Sequence, residues 1–279
     1  MSTLAIPELL LRVWNWLPVR GRVGVTILAS LQLYWVWAFF VHYVRAPVML
    51  YRASVMRRDT TRTLDPAYPE PIDIDLLRWL EEGERRLAKL GFRDPHRTTT
   101  STTYPITHAA SSMEHPVRGD HAIVTGSTSA NGVTTGEFSG SIAFDCEFAD
   151  GMRFVTSNAR NPRYWPDPRD TDHVRIPGLW DVTELYRLHR IRIGRHADRV
   201  PQKRTTRGRT PEQRLVYEKR RHIDFHKHLV RCGYARRTPG GVRPTLRGAI
   251  VGAWRHVFPW RDIDRWWMRR RARAVMRLG

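Results

Sequence analysis

Ser141 to Asn158 reads SIAFDCEFADGMRFVTSN, and this stretch decides the fold. Residues Ser141–Phe148 and Met152–Asn158 alternate apolar and polar, the period of a strand with one buried face. A three-residue loop Ala149-Asp150-Gly151, with Gly151 in the left-handed region, sets Phe148 opposite Met152, Cys146 opposite Phe154 and Phe144 opposite Thr156. The other face then pairs Glu147 with Arg153. A two-residue Asp-Gly turn would oppose Phe148 to Arg153 and mix the faces, so the alternation selects the longer loop.

Outward from this hairpin, Arg97 to Asn158 keeps the Thr, Ser, Val, Phe and Gly texture of strands, with Thr98–Thr107 and His121–Ser127 as expected partners. Upstream, Leu76, Leu77, Leu80, Leu87 and Leu90 mark the apolar stripe of a helix over about Ile74–Leu90. Asp73 or Asp75 caps it, and Gly91 suits the position after its end. Downstream, Asn158–Gly178 is a loop rich in Pro, Asp and Arg. Asp181-Val-Thr-Glu184 has capping-box spacing and opens a helix to about Ile193. Thr210-Pro211-Glu212-Gln213 opens another towards Cys232, stopped by Gly233. The fold class is therefore α+β: an antiparallel sheet covered on one face by helices, over residues 72–235.

Val23–Val44 (VGVTILASLQLYWVWAFFVHYV) is 22 residues without a formal charge. As a helix it reaches about 33 Å, against a hydrocarbon core of about 30 Å. It is longer than a signal-peptide core and ends in no small-residue cleavage site, so it reads as an uncleaved transmembrane helix. Residues 1–22, with Trp14 and Trp16, read as an interfacial segment. Residues 45–71, containing the Pro-rich Thr60–Pro71, read as a juxtamembrane linker. Arg12, Arg20 and Arg22 precede the span, whereas Arg45, Arg52, Arg57, Arg58 and Arg62 follow it. That bias orients the C-terminal domain to the cytoplasm of a bacterial inner membrane. The two cysteines, Cys146 and Cys232, form no CxxC and no disulfide framework, in keeping with that side.

The net charge of +20 is segregated. Residues 1–183 carry 20 Lys/Arg and 20 Asp/Glu; residues 184–279 carry 27 and 7, which is the whole excess. With 43 Arg against 4 Lys, a GC-rich coding bias accounts for Arg over Lys but not for the segregation. A polyanionic partner is implied, either the anionic leaflet or nucleic acid. Leu246, Ala249, Ile250, Ala253, Trp254, Val257 and Phe258 form a helical stripe broken at Pro259, and a last helix is expected over Asp262–Leu278. Residues 236–279 thus read as a basic amphipathic membrane-surface segment. Trp254, Trp266 and Trp267 are expected to insert at the interface, and Arg265, Arg269, Arg270, Arg271 and Arg273 to meet lipid headgroups.

Three pieces, Phe148-Ala-Asp-Gly151 leading into Thr156-Ser-Asn158, Leu185-Tyr-Arg-Leu-His189, and Arg243-Pro-Thr-Leu-Arg-Gly-Ala249 followed by Phe258-Pro259, together resemble an uncharacterised bacterial membrane-anchored protein family. The resemblance covers most of residues 75–279. It implies the domain layout and no activity.

Reactive constellations are sparse. His222 and His226 have the i, i+4 spacing of two helical zinc ligands, but Arg220, Arg221 and Lys227 repel a cation and no third ligand shares their face. Asp145 and Glu147 share a strand face and could act as a carboxylate pair, but Glu147, facing Arg153 across the hairpin, is more simply a cross-strand ion pair. Cys146 reads as a core thiol and His189 as a packing or surface histidine. There is no Walker A loop, GxGxxG, GxSxG, HExxH or paired CxxC. The expectation is a single-pass membrane-anchored binding or scaffolding module at the anionic membrane surface, with no cofactor and no catalysis of its own. A membrane-tethered nucleic-acid-binding protein using Arg204, Arg207, Arg209, Arg220 and Arg221 is the first alternative. A metal-dependent enzyme using His222 and His226 is the second.

Overall fold

The uncharged run folds as sequence requires, into a helix that continues well beyond it. In the computed structural model, which describes residues 18–53, 56–57, 61–63, 73–101, 106–129, 139–160, 165–202, 210–239, 241–257 and 259–277, α1 (Val19–Phe39) leads through a π-helical stretch, Phe40–Arg45, into α2 (Ala46–Ala53). Val23–Arg52 is one helix of 30 residues, long and apolar enough to cross a membrane, and none of its most apolar window is buried by the protein. The residues read as a linker are thus helical to Ala53 and contribute two short strands, β1 (Met56–Arg57) and β2 (Thr61–Thr63). Of the expected interfacial segment 1–22, residues 1–17 lie outside the described residues and α1 already begins at Val19.

The soluble part is α+β. Helix α3 (Ile74–Lys89) is capped by Asp73, whose side chain accepts from the Asp75 N–H at 2.8 Å. Five strands follow: β3 (Arg93–Ser101), β4 (Ile106–Glu114), β5 (His121–Ser129), β6 (Ser139–Glu147) and β7 (Arg153–Ser157); then come β8 (Thr171–Arg175) and α4 (Val182–Ala197). Strands β2 to β8 form one seven-stranded sheet in sequence order. The hairpin register is the expected one: Phe144 faces Thr156, Cys146 faces Phe154 and Glu147 faces Arg153. The Phe148 N–H donates to the Met152 carbonyl at 2.8 Å, and Gly151 sits at φ +86°, a backbone only glycine adopts without strain.

Three differences from the sequence reading concern this sheet. The stretch expected as one strand, Thr98–Thr107, is the end of β3 and the start of β4, with residues 102–105 between them outside the described residues. Strand β8 comes from the Pro-rich loop and lies parallel to β7, so the sheet is antiparallel except at this edge. The alternation there was masked by Asp and His. The second face, expected to be open, is partly overlain by α5 (Pro211–Arg231).

One face carries the main core. Leu76, Leu80 and Leu87 of α3, Phe92, Phe144, and Leu185, Tyr186 and Leu188 of α4 cluster there with Ala272 and Val275 from the C-terminal helix α7 (Trp260–Met276). Each fully buried Leu or Phe contributes about 1.5–3 kcal/mol. Helix α3 approaches so closely that a Cβ on Gly83 would lie 2.7 Å from both methyls of Val124. The glycine that weakens the helix by about 1 kcal/mol is what lets it seat. Helix α5 opens at the expected start, with Pro211 in its first turn and a reciprocal capping box between Thr210 and Gln213. It is followed by the hairpin β9 (Ala235–Thr238) and β10 (Gly241–Pro244), then α6 (Leu246–Trp254). Strands β1, β10 and β9 make a separate three-stranded sheet, joining the base of the span to the C-terminal third.

Candidate functional site

The site begins where the long helix leaves its uncharged run. Helix α6 buries Gly248, Ala249, Gly252 and Ala253, a small-residue face rather than the Leu246-led stripe expected from sequence; Leu246 is 58% exposed. Against that face lies α2, with Leu50 at 3.0 Å from where a Gly252 Cβ would stand. Trp165 closes the same junction, its indole N–H donating to the Gly248 carbonyl at 2.9 Å. The last carbonyls of α2 have no helical donors of their own. Arg243 supplies them, with Nε on the Tyr51 oxygen at 3.1 Å and Nη2 on the Arg52 oxygen at 2.8 Å. Trp254, one of the residues expected at the interface, donates from Nε1 to the Tyr43 carbonyl at 3.2 Å and packs edge-on to the Tyr43 ring at 5.8 Å, near the end of the uncharged run.

From this clamp the chain leads into α7. Five residues lie between Trp254 and Trp260, a reach of at most about 22 Å. One face of α7, Met268, Ala272 and Val275, is buried. Another leaves Trp260, Ile263, Trp266 and Trp267 between 43% and 50% exposed. Arg270 stacks its guanidinium over both Trp266 and Trp267 at 5.5 Å, a cation–π arrangement. Arg269 and Arg273 are exposed and Arg265 is half-buried. Arg271 differs from its expected role: it is exposed, but it pairs with Asp172 at the sheet edge and donates to the His173 carbonyl at 3.4 Å. Phe258 and Leu278 lie outside the described residues, as do Arg204, Arg207 and Arg209.

The second face of the sheet meets α5 across a cavity of about 630 Å³ lined by Ile123, Glu147, Arg153, Trp165, His222 and Phe225. Beneath it Asp145, buried in β6, takes a two-pronged contact from Arg153 at 2.9 and 3.0 Å and a third from Arg221 at 2.8 Å. Burial alone would raise this carboxyl, but the attraction of Arg153 and His121 outweighs it and holds the group well below the usual carboxylate range. Asp145 thus joins Glu147 as a partner of Arg153. The Cα positions of Glu147 and Arg153 are paired across the hairpin, yet the guanidinium turns to Asp145, and Glu147 accepts from the Tyr217 hydroxyl at 3.3 Å. A carboxylate so saturated is no general base.

His222 and His226 stand with rings 4.7 Å apart, edge to face; His222 lines the cavity and His226 is buried. Among the described residues no third His, Cys, Asp or Glu completes a ligand group with them. Reasoning from sequence missed the clamp at Arg243, Gly248 and Gly252. The signal was legible: small residues at i, i+4 mark a helix face that another helix approaches closely.

No protein-family model, curated protein or solved structure matches the chain. The reading of function therefore rests on this geometry alone.

Proposed function

We propose that the protein is a single-pass inner-membrane protein of a bacterium whose α+β domain works on the cytoplasmic side as a binding or scaffolding module at the anionic membrane surface. The observation that carries this reading is the Trp254–Tyr43 contact. It ties the start of the Trp- and Arg-bearing segment to the end of the uncharged run, so tethering raises the local concentration of membrane for every residue that follows. Trp266 and Trp267 supply the interfacial surface, joined by Trp260 and Ile263. Arg265, Arg269, Arg270 and Arg273 supply charge for headgroups, at about 1 kcal/mol for each cation near an anionic leaflet. Arg271 holds the segment on the domain at Asp172, and Trp254 holds its start on the long helix at Tyr43.

The test uses the full chain in nanodiscs of neutral or anionic lipid, read by hydrogen exchange. Amides of residues 260–276 should exchange more slowly in anionic discs. Replacing Trp266 and Trp267 together by Ala should abolish the difference, and duplex DNA should not compete. Equal exchange in both lipids overturns the reading. Displacement by DNA with a steep salt dependence would make the basic third a nucleic-acid surface instead.

A further inference from the structure

Inside the domain, three side chains that the sequence presents as unremarkable converge. Asp120 stands just before β5, Cys146 lies on the helix-facing side of β6, and His189 lies on α4. All are buried, at 0%, 3% and 0% exposure. A carboxylate oxygen, the thiol sulfur and an imidazole nitrogen lie within 4.8 Å of one another.

His189 carries the argument. Its Nδ1 is engaged with the Thr156 hydroxyl at 2.9 Å, and that hydroxyl also accepts from Arg192 Nη1 at 2.5 Å. Its Nε2 is buried without any partner. A fully buried imidazole nitrogen left unsatisfied is costly and asks for an explanation. The thiol beside it is only a weak donor. From these contacts we infer that Asp120, Cys146 and His189 form a binding site for a borderline-soft divalent cation of the zinc class.

The chemistry of the donors fits. Carboxylate, thiolate and neutral imidazole are the zinc ligand set, and three protein ligands leave one tetrahedral position for water. Outer contacts of the expected kind are present. Thr156 fixes the imidazole through its second nitrogen, and Asp120 is oriented by the Tyr186 hydroxyl at 2.6 Å, Gln202 Nε2 at 2.8 Å and Arg190 at 3.1 Å. Burial pushes the His189 pKa down to about 4, which keeps the ring neutral and able to ligate. Burial together with Asp120 pushes the Cys146 thiol up; a bound cation reverses this and releases the thiol proton. Metal–ligand distances of about 2.0–2.3 Å require the three groups to draw together through small side-chain rotations.

The test is cobalt substitution in the full-length protein in detergent, stripped of metal and titrated with Co(II). A thiolate-to-cobalt charge-transfer band with visible d–d bands, saturating at about one equivalent, is expected for this ligand set. Cys146→Ser should remove the charge-transfer band, and His222→Gln with His226→Gln should leave it unchanged. Thr156→Val should weaken Co(II) by about 10–100-fold while keeping the band, because it removes only the outer contact to His189. Absence of a thiolate band in the folded wild-type protein overturns the inference, since it needs no variant to fold. A band that survives Cys146→Ser overturns it equally, by assigning the sulfur to Cys232.

Discussion

At the scale of single residues, two positions carry more than their neighbours. Asp145 is buried between Arg153 and Arg221, so replacing it with Ala leaves two guanidinium groups without their anion. Loss of one partner of a buried pair costs about 3–5 kcal/mol, and a thermal melt in detergent should show it; a drop near 0.5 kcal/mol would mean the arginines find other acceptors. The pH dependence follows from the depressed pKa. Above the ordinary carboxylate value of about 3.9 the contribution is fully present. As pH falls below that value the unfolded chain takes the proton first, and the contribution drains away towards the lower folded pKa. The stability gap between wild type and Asp145→Asn should therefore be constant from neutral pH to about 5 and narrow below about 4. Gly248 is the second position. A Cβ there would stand 1.8 Å from the Tyr234 carbonyl oxygen, a clash that only backbone movement relieves. Gly248→Ala should destabilise by about 3 kcal/mol, whereas Ala at Gly194, with open space around it, should gain up to about 1 kcal/mol.

At the scale of elements, the strands of the central hairpin were legible because period-two alternation and the three-residue Ala149-Asp150-Gly151 loop agree on one register. Helix α5 was legible because Thr210, Pro211 and Gln213 agree on one start. Strand β8 was not, since Asp172, His173 and Arg175 put polar side chains on both of its faces and their partners, Arg192 for Asp172 and Ser157 for His173, are remote in sequence. The pair β9–β10 hid among arginines: Arg236, Arg237 and Arg243 read as charge, while the register Pro244–Ala235 to Gly241–Thr238 is set by the ladder. The Gly248–Gly252 face went unread because an apolar stripe was sought where the partner helix needed clearance. Enlarging Gly252 to Leu should separate α2 from α6 while sparing the seven-stranded sheet. Hydrogen exchange would then rise in residues 46–53 and 246–254 and stay unchanged in β4 to β6. A uniform rise would show that the junction and the sheet unfold as one unit.

At the scale of the whole molecule, charge and architecture divide the chain differently. The seven-stranded sheet and α3 belong to the part whose charges sum to zero, and the excess of +20 comes from residues 184–279. Yet those residues are not an appendage. Helix α4 builds the core, Arg192 and Arg271 bind the Asp172 carboxylate, and Arg190 binds Asp120. Part of the basic third is therefore spent on internal anions, while Arg269, Arg270 and Arg273 of α7 are among the cations that remain exposed. Charge counting alone overstates the electrostatic footprint for this reason.

The helical continuity from α1 into the clamped α2 has a mechanical consequence. Because Arg243, Leu50 and Trp254 grip the lower end, the upper end is no free swivel: its azimuth about the helix axis is slaved to the domain, as a key's blade is to its bow. Each residue advances a helix by about 100°. One alanine inserted between Arg45 and Ala46 should therefore turn every side chain from Val23 to Val44 by that angle about the helix axis while leaving the domain intact. Cysteine crosslinking along the span would read the rotation directly, and an unchanged crosslinking pattern would show that the π-helical stretch absorbs the twist.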